Sequence, residues 1–236
     1  MSNYLNDKQK INFAISNFHE LEERLMDCLS YIPFIEQNQN TISSKFIPII
    51  LEACSLIESI FKDTLGKGKF NFKNYSREID SQLNLSETIT IFLTTPLKFI
   101  QPYSNWKDEV PLWWDVYNKI KHDRLTNMHL ATFNNAVLAI TALHQIISKH
   151  RKYTNHIIEQ GWISPDSEII GELVGARLIN DNCIPINLIA CESKLFVSPL
   201  GANFVEKRKK QFFVVDNCEF SNRVRVKINM SEFELI

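Results

Sequence analysis

The stretch that decides the fold runs from Leu112 to Ile147 and reads LWWDVYNKIKHDRLTNMHLATFNNAVLAITALHQII. Its first part combines aromatic residues with polar side chains suited to catalysis, and its second part is a long apolar segment. Pro111 suits the first turn of a helix, and Asp108 and Glu109 lie before it, where negative charge favours a helix N-terminus. The sequence therefore predicts a helix that begins near residue 110 and carries the polar groups.

The predicted helix has one apolar face and one polar stripe. At about 100° per residue, four large apolar side chains share one side of the helix. These are Trp113, Val116, Tyr117 and Ile120. Another side of the helix carries a polar stripe, flanked by Trp114. The stripe consists of Asp115, Asn118 and His122.

The amide of Asn118 and the imidazole of His122 lie about one helical turn apart, close enough to act on one bound group. Histidine exchanges a proton near neutral pH, and nearby cations attract a phosphate. These cations are Lys119, Lys121 and Arg124. The same residues also fit an ordinary helix end, with Asn118 and His122 bonded to each other or to a neighbouring helix. Residue types alone leave both interpretations open.

The segment YNKIKH, residues 117–122, resembles the signature of the HEPN superfamily, whose motif is Arg, a polar residue that is often Asn, three variable residues and His. Asn118 falls on the polar position and His122 on the histidine, while Tyr117 stands where the family carries arginine. The resemblance implies a HEPN-like helical bundle, often a homodimer, in which two motifs face each other and cleave RNA without a metal. It also implies a bacterial stress or phage-defence context.

Two functional hypotheses follow. The first is a non-catalytic HEPN-like module that binds RNA, a nucleotide or a protein partner. Its candidate binding residues are Tyr117, Lys119, Asp115 and Trp114. The second is a metal-independent ribonuclease in which His122 is the acid or base, Asn118 orients it, and Arg124 or Lys121 stabilises the phosphate. A phenol at position 117 cannot supply a fixed cation to a phosphate, which favours the first hypothesis.

Composition limits the function classes. The 236 residues carry a formal net charge of −1, so any nucleic-acid contact must come from local patches. No run of about 18 apolar residues and no apolar signal-peptide core appear, so we expect a cytoplasmic protein without a membrane segment. The five cysteines are widely spaced and form no CxxC pair, which predicts reduced thiols rather than a metal site. We expect no cofactor, because phosphate-binding glycine loops, GxSxG and HExxH are absent.

The chain is predicted to be mainly α. The bundle spans residues 1–155, includes a small β-hairpin at about 87–103, and is followed by a β-rich extension over residues 156–236. Apolar spacing predicts helices over residues 8–32 and 45–65, the second ending at Gly66. Thr126 or Asn127 is predicted to cap the last bundle helix.

Three charged features leave alternatives open. Glu58 either forms an ordinary pair with Lys62 or contacts Lys121 or His122 inside the bundle. The segment 66–77 interleaves basic and aromatic residues, and it is either a loop that binds single-stranded RNA or one that packs its rings on the bundle. The basic run at 206–210 either forms a binding surface for RNA or a partner, or is a solvated hairpin tip.

Overall fold

Helices supply most of the described fold. The computed structural model describes residues 6–66, 72–95, 97–164 and 183–206. Within them lie seven α-helices: α1 (Asp7–Leu29), α2 (Phe46–Leu65), α3 (Phe72–Leu83), α4 (Leu112–His122), α5 (Arg124–Asn127), α6 (Phe133–Lys149) and α7 (Thr154–Glu159). The same residues contain five strands: β1 (Thr90–Phe92), β2 (Lys98–Ile100), β3 (Ile163–Ser164), β4 (Cys183–Glu192) and β5 (Phe196–Glu206). The predicted mainly α class is confirmed.

Helices α1 and α2 follow the predicted apolar periodicity. The Asn6 side chain accepts a hydrogen bond from the Gln9 backbone N–H at 2.9 Å, and the Gln9 side chain accepts one from the Asn6 N–H at 2.9 Å, which caps α1. At the other end of the pair, Gly66 stops α2 with a φ of 79°, a left-handed value that favours glycine. Together with the buried helix α6, these two helices form the centre of the bundle.

Two local predictions are wrong. The loop expected over residues 66–77 gives way to helix α3 from Phe72 onward, because apolar residues spaced by three or four positions bury one face of that segment. These residues are Tyr75, Ile79 and Leu83. The residues 67–71 lie outside the described part. Helix α6 is capped by Thr132, whose hydroxyl accepts from the Asn135 N–H at 3.2 Å, and not by Thr126 or Asn127.

The strands form one antiparallel sheet in the order β2-β1-β5-β4-β3. Strands β1 and β2 pair as the predicted hairpin, with Ile91 opposite Phe99. Because β5 pairs with both β1 and β4, the insertion in the bundle shares its sheet with strands from the 156–236 region. The predicted basic run at 206–210 lies outside the described residues from position 207 onward.

A buried polar network ties the sheet to α6. The His144 Nδ1 lies 2.9 Å from the Ser198 hydroxyl, which lies 2.7 Å from the Thr90 hydroxyl. The Gln145 side-chain amide donates to the Thr90 hydroxyl at 3.0 Å. Burial lowers the pKa of His144 to about 3, so this imidazole is neutral and acts as part of the core.

Tryptophan residues before and at the start of α4 form a packing cluster. Trp106 and Trp113 are fully buried against Tyr103, with ring centroids 4.6 and 5.5 Å from its ring. The Trp106 indole donates to the Asp80 carboxylate at 2.9 Å, which satisfies its buried N–H. These contacts hold the segment before α4 against α2 and α3 and so fix where the motif helix begins.

Candidate functional site

Helix α4 presents the predicted apolar face to the core. The side chains of Trp113, Val116, Tyr117 and Ile120 are buried, whereas Asn118 is half-buried and His122 is exposed. The polar stripe Asp115, Asn118 and His122 is therefore confirmed as the side that turns away from the core. This arrangement puts His122 at the solvent-facing end of the helix.

Helix α4 ends at Asp123, which has φ −146° and ψ 88°. The Asp123 carboxylate accepts from the Thr126 N–H at 3.2 Å and caps the short helix α5. The Asn127 side-chain amide also donates to the Asp123 and Lys119 carbonyls, at 2.8 and 3.2 Å. Arg124 therefore belongs to a new helix, and its direction relative to Asn118 is set by this turn and not by the α4 wheel.

Tyr117, which stands where the motif that this segment resembles carries arginine, is bonded to the neighbouring helix α2. Its buried hydroxyl donates to the Glu58 carboxylate at 2.9 Å and accepts from the Lys121 ammonium at 2.9 Å. Lys121 also contacts Glu58 at 3.2 Å, and Lys62 holds the other carboxylate oxygen at 2.6 Å. Both predicted alternatives for Glu58, the pair with Lys62 and the contact with Lys121, occur together.

The electrostatics of this cluster favour an ionised carboxylate. Burial opposes ionisation of Glu58, but the hydrogen bonds from Lys62, Tyr117 and Lys121 outweigh it and lower the Glu58 pKa. Burial raises the pKa of Tyr117, and the hydrogen bond to Tyr117 raises the pKa of Lys121. The phenol is therefore neutral and the lysine charged at physiological pH.

Asn118 and His122 are not bonded to each other. The Asn118 side-chain amide donates to the Trp114 carbonyl at 3.0 Å, one turn back in its own helix. Among the described residues, His122 has no hydrogen-bond or ion-pair partner. The interpretation in which His122 is buried and bonded within the chain does not hold for this arrangement.

The remaining predicted binding residues have structural contacts. Lys119 pairs with Asp115 at 2.8 Å, one turn apart on α4. Trp114 is 5% exposed, and its ring packs on Phe61, Phe72 and Trp113. Trp114 and Tyr117 thus offer no open ring face on which a ligand base could stack.

A groove runs along the outer face of α2, which we call the α2 groove. It consists of two cavities of about 450 and 540 Å³ that share Leu51, Glu52 and Arg124. Its floor is formed by Ser44, Ile47, Pro48, Leu51, Glu52, Ser55, Leu56 and Ser59. One wall comes from Phe13 and Asn17 of α1, and the other from Tyr117, Lys121 and Arg124.

The α2 groove divides the predicted site. It brings together Tyr117, Lys121 and Arg124 but does not include Asn118 or His122. Arg124 is exposed and, in the part of the chain that the structure describes, has no carboxylate partner. The charge of Glu52 is met by Arg24 at 3.3 Å.

Sequence reasoning missed the floor and the α1 wall of this groove. One signal was present, since Phe13 is a large aromatic residue that falls outside the apolar stripe of its helix and is 60% exposed. None of the three serines on the floor gave a signal in the sequence, because serine is common on solvated helix faces.

Within the described residues, no group of three or more His, Cys, Asp or Glu side chains is placed to hold a metal ion. No helix among those residues is long and apolar enough to cross a membrane. Comparisons with protein-family models, curated proteins and solved structures match nothing to this chain.

Proposed function

We propose that this chain is a non-catalytic HEPN-like module that binds a protein partner through the α2 groove, in the bacterial stress or defence context that the motif resemblance implies. The observation that carries the proposal is the groove itself, a continuous surface whose floor combines apolar side chains with serines and one glutamate, and whose α1 wall carries an exposed aromatic ring. Phe13 on the α1 wall is 60% exposed, and Leu125, which follows Arg124 in the chain but lines neither cavity, is 84% exposed. Exposed large apolar side chains around a concave surface are typical of protein interaction sites.

Local charge supports a protein partner over RNA or a nucleotide. Lys119 is paired with Asp115, and Lys121 and Lys62 share Glu58. RNA binding without a stacking platform depends on several uncompensated cations that neutralise phosphates. Arg124 alone supplies such a cation within the described groove, which suits one carboxylate better than a polyanion.

The proposal can be tested by crosslinking at the groove floor. A photo-crosslinking residue replaces the exposed Ser55 in cells, and the same residue at the exposed Ser81 of α3 is the control. The captured protein is then purified, and its affinity is measured by calorimetry for wild type, Ser55→Arg and Ser81→Arg. We expect Ser55→Arg to weaken binding at least tenfold, because the long charged side chain fills the floor.

Equal affinity of the purified partner for wild type and Ser55→Arg would reject the groove as its site. Tight binding of labelled single-stranded RNA that Ser55→Arg abolishes, without any protein partner, would replace the proposed function with RNA binding. Circular dichroism of each variant establishes that the fold is retained.

A metal-independent ribonuclease is the second candidate. It is supported by the exposure of His122 and by its lack of hydrogen-bond and ion-pair partners among the described residues, with Asn118 one turn away on the same stripe. In this scheme His122 exchanges a proton with the 2′-hydroxyl or the leaving group, and Arg124 stabilises the phosphate. Lys121 is less suited to that role because Glu58 and Tyr117 hold its ammonium. The test is cleavage of a panel of labelled RNAs in EDTA by wild type and His122→Ala. Cleavage lost in the variant would favour the ribonuclease, and absence of cleavage by folded wild type would reject it.

A further inference from the structure

Resting on the proposed function, we infer that the partner segment in the α2 groove is an amphipathic helix of about three turns whose carboxylate meets Arg124. The length, the chemistry of the floor and the charge of one wall each support this occupant. The inference specifies which kind of peptide the groove selects, which the proposed function leaves open.

The floor of the groove has a helical repeat. Its members recur every three or four residues from Ile47 to Ser59 because they form one outward stripe of α2, and Ser44 in the turn before the helix extends the floor. The twelve residue steps of α2 from Ile47 to Ser59 span about 18 Å, which is the length of about three turns of a second helix lying beside it. The apolar floor residues Ile47, Leu51 and Leu56 would contact a stripe with the same spacing on the occupant.

Small side chains on the floor allow close approach. Ser55 and Ser59 are exposed and lie one turn apart, between the α1 wall and the α4 wall. Helices pack about 8 to 10 Å apart, and small residues at the contact permit the lower end of that range. The exposed Phe13 ring on the rim then covers the side of the occupant.

An extended segment suits the groove less well. The floor is an α-helix, and so are the parts of the walls formed by α1 and α4, whose backbone N–H and C=O groups are bonded within each helix. The groove therefore offers no free strand edge with which an extended peptide could pair. A helix satisfies its own backbone groups and needs only side-chain contacts from the groove.

The unpaired positive charge of Arg124 in the described part of the groove favours an acidic residue on the occupant helix. Arg124 is the uncompensated cation of the groove within the described residues, and Lys121 lies on the same wall. The floor carboxylate Glu52 is already paired with Arg24. A carboxylate on the side of the occupant helix that faces the α4 wall would therefore meet a guanidinium, which favours Asp or Glu at that position.

The experiment selects peptides on the full chain. A display library of random 16-residue peptides is enriched on wild type and depleted on Ser55→Arg, and the survivors are titrated by fluorescence anisotropy. We expect peptides with apolar residues every three or four positions and one Asp or Glu, and helical circular dichroism in the complex. Ser55→Arg should bind them at least tenfold more weakly, and Ser81→Arg should bind them as wild type does.

Charge reversal tests the position of the carboxylate. Arg124→Glu should weaken the selected peptides about fivefold, and a lysine in place of the peptide carboxylate should restore binding to that variant. Selected peptides that depend on Ser55 but bind in extended form, or that ignore Arg124→Glu, would overturn this inference and leave the groove as a protein-binding site. If the partner crosslinked at Ser55 is insensitive to Ser55→Arg, the proposed function itself fails.

Discussion

Replacing Tyr117 with phenylalanine removes one oxygen atom from the link between α4 and α2. The lost hydroxyl donates to Glu58 at 2.9 Å and accepts from Lys121 at 2.9 Å. A hydrogen bond to a charged group contributes about 1.5 to 3 kcal/mol to stability. Glu58 keeps Lys62 and Lys121 as partners, and its side chain is 22% exposed, so water recovers part of the loss.

We therefore expect Tyr117→Phe to lower the free energy of unfolding by about 1 kcal/mol, below that range because the remaining partners of Glu58 and water compensate part of the loss. For a chain of this size, the corresponding fall in Tm is about 2 to 4 °C. The assay is urea unfolding followed by circular dichroism, with calorimetric Tm as a second measurement. Tyr31→Phe is the matched control, because Tyr31 is 86% exposed and its hydroxyl has no partner among the described residues.

The effect should also depend on pH. The Glu58 pKa is lowered in the folded state, so the stability that its ionisation contributes is present above its ordinary value of 4.5 and is lost as the pH falls through the folded value. The difference between wild type and Tyr117→Phe should therefore shrink in acid. If Tyr117→Phe unfolds at the same urea concentration as Tyr31→Phe at pH 7, the hydroxyl does not stabilise the contact between the two helices and this reasoning is refuted.

Three further changes test other contacts. Glu22 is fully buried, accepts a hydrogen bond from the Ser193 hydroxyl at 2.5 Å, and has one carboxylate oxygen without a partner among the described residues. Burial raises the pKa of Glu22, so the stability that this group contributes is present in acid and is lost as the pH rises through the folded value. Glu22→Gln should accordingly raise the Tm at pH 7 but not at pH 4, measured by calorimetry, and a lower Tm at pH 7 would contradict this. Thr132→Ala removes the cap bond to Asn135 and should cost about 1 kcal/mol in urea unfolding, whereas no loss would show that the cap is dispensable. Tyr117→Arg introduces the arginine of the motif that this segment resembles, but it should not yield RNA cleavage in EDTA, because a guanidinium at this buried position would pair with Glu58. Cleavage by this variant would show that the position is available to substrate.

Much of the local structure of α4 is readable from sequence. The apolar face of Trp113, Val116, Tyr117 and Ile120 follows from a period of 3.6 residues, since burial of one stripe is what stabilises a surface helix. The same rule places α1 and α2, and Gly66 supplies the left-handed end of α2. The apolar residues of α3 have the same helical spacing, but basic and aromatic residues alternate over residues 66–77, and this alternation led to the wrong prediction of a loop.

The chemistry available to residues 117–122 depends on contacts with other helices, which the spacing of residues in the sequence does not predict. The hydroxyl of Tyr117 meets a carboxylate 59 positions earlier in the chain, and this pairing depends on how α2 and α4 are rotated against each other. The turn at Asp123 separates Arg124 from the helix wheel that relates Asn118 to His122. The periodicity of a helical sequence indicates which face of the helix carries a side chain, but it does not indicate which residue of another element packs against that face.

By itself, the sequence determined the helical class, the phase of the main helices and the hairpin before α4, because each of these arises from interactions between residues close in the chain. Only the tertiary structure decided that the hairpin joins strands beyond residue 183 in one sheet, that Tyr117 is bonded to Glu58, and that an exposed stripe of α2 lies in a groove. These features require segments far apart in the chain to pack at particular angles, and many residues acting together set those angles.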